Sequence, residues 1–212
     1  MTPIFIQGAL LTLAIWLASA AVSLIVGVAC GILRCRQLRI AGLSVLLDAV
    51  TFILRGVPYY VQLLIAYFVL PNLIGINIPT FVIASGSLGL CSAAYVSQIV
   101  RGGLNALPVG QWEAAHVLGI TAVQTVWYII LPQLVRAVLP SLIGEFDQLL
   151  KSTSILSAIG VLELTRVGMN VIAREMNPIP VYLGLALCYL MFSAVLNGGL
   201  WLAERRLNAC GN

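Results

Sequence analysis

Charge is what this 212-residue chain has least of. Only 8% of its residues are charged, against roughly 25% in soluble domains. It has one lysine, Lys151, and one histidine, His116. The other cations are ten arginines scattered along the chain; with no basic tract, nucleic acid is excluded as a partner. No Gly-x-x-x-x-Gly-Lys-Ser/Thr phosphate loop occurs, which excludes ATP hydrolysis by that route. No two cysteines have the C-x-x-C spacing. Cys30, Cys35, Cys91, Cys188 and Cys210 therefore read as small buried hydrophobes rather than disulfide or metal partners. His116 has no second ligand nearby in sequence, so no metal site follows and it reads as a surface residue. No Lys or Arg precedes Arg34, and the first apolar run exceeds the ~7–15 residues of a signal-peptide core; it reads as a retained span. There is no internal repeat, low-complexity tract or soluble domain.

What is present is apolar. Hydrophobic residues make up 61% of the chain, more than a soluble domain of this size can hide, so the solvent is lipid. Five stretches approach the ~20 residues needed to cross hydrocarbon: about 8–33, 44–70, 79–100, 134–160 and 180–203. Helices are the open-chain element that satisfies its own backbone there. The expected fold is an all-α integral membrane protein, a single transmembrane domain over 1–212 with five transmembrane helices. Arg55-Gly56-Val57-Pro58 interrupts the second span. Pro71-Asn72 reads as the turn after it, and Pro140 lies within the fourth.

Orientation follows from the positive-inside rule. Arg34, Arg36 and Arg39 follow the first span, Arg101 the third, and Arg205 and Arg206 the fifth, while loop 71–78 is uncharged. These place the N-terminus outside and the C-terminus in the cytoplasm. Arg166 and Arg174, in segment 161–179, are the outside minority. The same topology puts the loop 101–132, between helices 3 and 4, in the cytoplasm.

That loop is the one interior stretch where the apolar texture yields to a polar, helical, Gly-broken pattern. Leu107-Pro108 opens it, Glu113 suits the early turns of a helix, and Ala114 and Ala115 favour helix and leave a smooth face. Gly119 permits a sharp turn, and a second helical stretch, about 121–130, is expected to end at Pro132. Two short helices joined at a glycine make a protrusion that fits a groove on another protein. An amphipathic loop lying on the membrane is the plainer alternative, but such loops carry Lys and Arg, and 102–132 has neither.

Glu113-Ala114-Ala115, Gly119, Ile129 and Leu131-Pro132 resemble the EAA loop of the permease subunits of bacterial ABC importers, at every fixed position of that pattern. Arg55-Gly56-Val57-Pro58 with Val61-Gln62-Leu63, Ala93-Ala94-Tyr95, Arg101-Gly102-Gly103, Gly110-Gln111 and Leu149–Ser154 are similar to the polar amino-acid branch, the histidine, glutamine, arginine and opine permeases. The resemblance is close over roughly 50–165 and looser over the five-span layout. It implies a multi-pass protein of the bacterial inner membrane that forms the pathway for polar amino acids, basic ones among the options. Glu113, Ala114, Ala115, Leu118 and Gly119 would couple it to an ATP-binding cassette subunit. That partner would bind the ATP and Mg; no cofactor, metal or catalytic residue is expected in this chain. The other implied partners are a second permease copy or paralogue, an extracytoplasmic amino-acid-binding protein, the amino acid itself and membrane lipid.

Ionisable and polar groups inside spans are the candidates for a substrate site. They are Gln62, just past the Gly-Pro break, Ser92, Tyr95 and Gln98 at three-residue steps, and Glu145, Ser152 and Thr153 in the fourth span. Tyr59 and Tyr60 flank the same break. Asp147 and Lys151, four apart, have the spacing of a helical ion pair. Ordinary interhelical hydrogen bonding is the plainer reading for Ser and Thr, and core or interfacial packing for Tyr. Trp16, Trp112, Trp127 and Trp201 suit interfaces, with Trp112 and Trp127 placed to pack the handle on its partner. Gln98 stands where the branch often has an acidic residue, and Ser152 where Asp is common. Asp147 stands where an apolar residue is usual; if these positions read substrate charge, specificity does not carry over, and the resemblance leaves open that this chain is the member of a permease pair without a membrane binding site. Two other functions compete. One is an ion-gradient-driven secondary amino-acid transporter using Glu145 and Asp147, which expects repeated halves. The other is a membrane scaffold, which expects no polar residues at mid-span.

Overall fold

The computed structural model describes residues 2–209. Cys210, and the side chains of Trp201, Glu204, Arg205 and Arg206, lie outside the described residues. In chain order the helices are α1 (Thr2–Leu33), α2 (Ala41–Gly56), α3 (Tyr59–Leu64), α4 (Leu70–Ile74), α5 (Thr80–Ala106), α6 (Val109–Val117), α7 (Ala122–Gln124), α8 (Leu131–Ser152), α9 (Leu164–Glu175) and α10 (Pro178–Ala209). Among the described residues four helical stretches are long and apolar enough to cross a membrane: Pro3–Leu33, Thr80–Ala106, Ala122–Ile159 and Pro178–Gly199. The fifth is a bent pair, Gly42–Gly56 and Tyr59–Ile74, meeting at 103°.

The bend is written in the backbone chemistry. Pro58 disfavours the helical region for the residue before it, and Val57 is extended at φ −97°, ψ 133°. The break frees carbonyls that lipid cannot satisfy. The Gln62 side chain fills that need, its amide donating to the carbonyls of Leu54 and Val57, each at 2.7 Å.

Two other prolines do not break the chain as the sequence suggests. Helix continues through Pro71 to Ile74, so the turn falls at Gly75 (φ 71°) rather than at Pro71-Asn72. Helix likewise continues through Pro132, so the second helix of the handle runs unbroken into the fourth span. In both places a wider π-helical turn, Ile65–Val69 or Thr125–Ile130, immediately precedes a Leu-Pro step. A proline ring clashes with the carbonyl four residues back, and a π turn inserts the extra residue that moves this carbonyl aside. The sharp corner at Gly160 (φ 81°) closes the fourth span.

Helix α5 is the centre of the molecule, packed by α1, α2, α3 and α8. Its contact with α1 is the most intimate. A β-carbon at Gly27 would lie 2.7 Å from Val96, and one at Gly31 would lie 2.7 Å from Val100 and 2.9 Å from the Ser97 carbonyl. From the other side, a β-carbon at Gly89 would lie 2.8 Å from Val22. In lipid, helices gain little from the hydrophobic effect and associate through close packing at small residues; this seam is such a contact. Two apolar clusters flank it. Ile15, Leu63, Leu88, Leu149 and Leu156 form one, and Cys35, Val96, Val100, Ile130 and Leu134 the other. Trp16 belongs to the first, not to a membrane interface: its indole N–H donates to the Phe146 carbonyl at 2.9 Å, tying α1 to α8. Cys30, Cys35, Cys91 and Cys188 are free thiols.

The seam predicts that Gly31→Val, which must displace backbone as well as side chain, destabilises the protein by about 1–3 kcal/mol or more. Gly102→Ala, where a β-carbon meets nothing within 4 Å, is the control. Thermal unfolding in detergent checks both, and equal midpoints for the two variants would show that the seam does not hold the fold.

Candidate functional site

The polar centre of the molecule gathers around Glu145, half-buried on α8. Its carboxylate accepts from the Ser92 hydroxyl at 2.7 Å and the Tyr59 phenol at 3.2 Å. Ser92 in turn accepts from Ser23 of α1 at 2.9 Å. Tyr59 stands edge-on to Tyr95, ring centres 5.9 Å apart. The Arg55 guanidinium lies over the Tyr95 ring at 5.4 Å, and the Tyr95 hydroxyl donates to the Arg55 carbonyl at 3.4 Å. Four helices thus converge on one carboxylate: α1, α5, α8 and the broken span.

Glu145 differs from the other acids of the spans. Asp48 is paired with Arg34 and Arg101, and Asp147 with Lys151, the pairing its spacing suggests. Among the described residues Glu145 has neutral partners only. A carboxylate held by two hydroxyls, without a cation, has its charge available to an incoming ammonium group.

The remaining candidates divide. Ser92 and Tyr95 join the Glu145 cluster. Gln62 caps the broken span, and its side-chain oxygen accepts from the Cys91 thiol at 3.0 Å, so its polar atoms are engaged in structure. Gln98 lies further along α5 and lines a separate cavity of about 360 Å³ with Gly102, Ala137 and Ser141. Its side-chain oxygen is buried and has no hydrogen-bond partner. Ser152 and Thr153 donate back to the Gln148 and Leu150 carbonyls of their own helix, at 2.9 and 2.7 Å; neither is brought to Glu145 by a hydrogen bond.

Three further residues matter here. Tyr59 shows in the sequence only as a neighbour of the break. Asp48 had a signal, a lone carboxylate inside an apolar span. Glu163 gave none, because it falls in a connecting segment, yet it is fully buried. It caps α9 by accepting from the Thr165 and Arg166 amides at 2.8 and 2.7 Å, and accepts from Tyr189 of α10 at 3.1 Å. Burial pushes the Glu163 carboxyl up from its ordinary value, against the two amides that draw it down.

The handle is built from capping chemistry. Helix α6 ends in a Schellman turn: the Ile120 amide donates to the Ala115 carbonyl and the Gly119 amide to that of His116, both at 3.0 Å, with Gly119 at φ 71°. Thr121 then opens α7 with a reciprocal capping box to Gln124. Glu113, Ala114, His116 and Gly119 are exposed and Ala115 faces inward. Val117 and Leu118 are 85% and 76% exposed, an apolar tip on a polar arm. Trp127 is exposed, but Trp112 packs into the second core cluster, so only Trp127 is available to a partner. A paired amide fixes the base of the arm: Gln111 and Gln133 donate to each other at 3.0 and 2.9 Å.

Residues 23–209 match the model of the family described as binding-protein-dependent transport system inner membrane component. The chain belongs to this family. This permease is 34% identical to the glutamine transport system permease protein GlnP of Escherichia coli (strain K12), over 97% of this chain and 93% of that one. It is 32% identical to the arginine transport system permease protein ArtQ of Bacillus subtilis (strain 168), over 98% and 94%. It also resembles the crystal structure of an amino acid ABC transporter with histidines, with a TM-score of 0.86 at 32% identity, covering 97% of this chain and 94% of that one. The permease fold extends to the inward-facing MetNI methionine ABC transporter, TM-score 0.84 at 20% identity. The permease is a multi-pass inner-membrane protein, and its family does not drive transport by ion gradients.

Gln133→Leu removes both amide bonds at the base of the arm, at about 1 kcal/mol each. Insertion should be unchanged while hydrogen exchange in α6 accelerates. Unaltered protection of α6 would show that the arm is held by something else.

Proposed function

We propose that this chain is the permease subunit of an ATP-driven importer of polar amino acids, with Glu145 as the group that meets the substrate's ammonium. The likeness to GlnP and ArtQ over nearly the whole chain carries the substrate class. Family membership supplies the coarser frame: a permease component that works with an ATP-binding subunit and a substrate-binding protein. Within that frame, the N-terminus lies outside and α6 in the cytoplasm. The ATP-binding subunit holds the ATP and Mg. Its closure acts on Glu113, Ala114, Ala115, Leu118 and Gly119, with the Val117–Leu118 tip seated in its cleft. Five spans are too few for a full pathway, so a second copy or a paralogue completes it. Of the seven residues singled out by sequence, Ser92, Tyr95 and Glu145 are the strongest members of the site, with Tyr59 added. Gln62 supports the site by holding the break. Gln98 borders the pathway, while Ser152 and Thr153 are assigned to its wall.

Two experiments test this reading. In the first, the chain is expressed with candidate ATP-binding subunits, with Glu113→Lys and Gly119→Val as variants. Gly119→Val forces a β-branched residue into the left-handed region at a cost of roughly 1–2 kcal/mol. Copurification with one subunit, lost in Glu113→Lys, is expected, and both variants should abolish uptake; uptake at the wild-type rate by either refutes the coupling role. In the second, Glu145→Gln in the complete transporter removes a charge-assisted contact of about 1.5–3 kcal/mol. The apparent KM for uptake should rise roughly tenfold or more while the ATP-binding subunit still copurifies. Unchanged kinetics for every amino acid tested would remove Glu145 from the site.

A further inference from the structure

Helix α2 is inside out. Its lipid-type residues, Val45, Leu46, Val50, Phe52 and Ile53, are exposed. The face turned to the protein carries Ser44, Asp48 and Thr51, spaced for one helical face, with Ser44 fully buried and Thr51 5% exposed. On this face Asp48 pairs with Arg34 and Arg101 and Ser44 donates to the Leu33 carbonyl at 3.2 Å, whereas Thr51 donates to the Leu47 and Asp48 carbonyls of its own helix. Midway along α2 a single oxygen of Asp48 accepts from Arg34 of the segment after α1 at 2.6 and 2.7 Å, and from Arg101 of α5 at 3.4 Å. The Arg34 side chain is 4% exposed and also donates to Ser97 of α5 at 2.8 Å. Arg101 stands in the last two turns of α5, which lead through Leu107-Pro108 directly into α6. Seven residues beyond Asp48, about 10 Å along the helix, Arg55 lies over Tyr95, whose ring meets Tyr59, the partner of Glu145.

We infer that α2 is a rod between the Glu145 cluster and the base of the coupling arm, and that Asp48 is the positioning residue that engages it with Arg101. The inference rests on the permease reading above. A carboxylate shared by two guanidinium groups can shift its weight between them without being left unpaired. The buried Arg34 pairing then anchors the rod, while the more exposed Arg101 pairing, longer and on the helix that carries the arm, makes and breaks.

The test uses the assembled transporter, with its ATP-binding subunit and binding protein, in proteoliposomes, with radiolabelled glutamine and arginine as probes. The readouts are amino acid moved per ATP hydrolysed and stimulation of hydrolysis by loaded binding protein. Asp48→Asn should assemble, keep its basal hydrolysis and its KM, and lose stimulation, with the amount moved per ATP falling at least about fivefold. Asp48→Glu should recover part of that ratio. A merely structural role would lower assembly, hydrolysis and uptake together and leave the ratio at the wild-type value; that result overturns the proposal. Should Asp48→Asn fail to fold, Arg101→Gln leaves the buried pair with Arg34 in place and is held to the same ratio. Wild-type transporter that moves neither probe in an ATP-dependent way would overturn the substrate class proposed above, an outcome distinct from loss of the joint.

Discussion

The fold depends on how closely α1 and α5 approach. Lipid offers no reward for burying leucine against leucine, so a membrane bundle stands on shape and on directional bonds. Gly27 and Gly31, one turn apart, admit Val96 and Val100, and Gly89 returns the favour to Val22. With α1 fixed on α5, Ser23 reaches Ser92 and Arg34 reaches Ser97. The polar network at the centre and the charged network at one end are both hung from this seam.

On that frame, each irregularity has a local answer. The break before Pro58 is closed by Gln62, and the left-handed turn after α6 is closed by its own amides. The two Leu-Pro steps are accommodated by widened turns. Glu145 stands apart from the other acids of the spans because its partners are hydroxyls rather than cations, and Val117 and Leu118 leave an apolar tip bare.

Much of this was legible in the sequence, since hydropathy sets spans and Gly-Pro chemistry marks breaks. The five-helix all-α class, the family, the bend at Gly56-Val57-Pro58 and the Asp147–Lys151 pair could be read from spacing and motif. What could not be read was long-range partnership. Nothing local says that Glu145 will meet Tyr59, 86 positions away, or Ser92, 53 away. Nor does it say that Ser152 and Thr153 will turn back on their own helix. Pro71 and Pro132 misled because a proline's effect depends on the turn before it, and a π turn has no simple signature. Glu163 stayed hidden because its long-range partner, Tyr189 of α10, stands 26 positions away.

Beside the continuous helix and the packing of Trp112, the base of the arm is tied to the membrane body by two neutral amides, Gln111 and Gln133, with no ion pair there among the described residues. Between residues 102 and 132 only Glu113 and His116 carry titratable side chains other than tyrosine, and both face outward. Dipoles bonded face to face are not screened by salt as separated charges are, and amides do not titrate near neutrality. The arm's attachment is therefore indifferent to the ionic strength and acidity of the compartment around it.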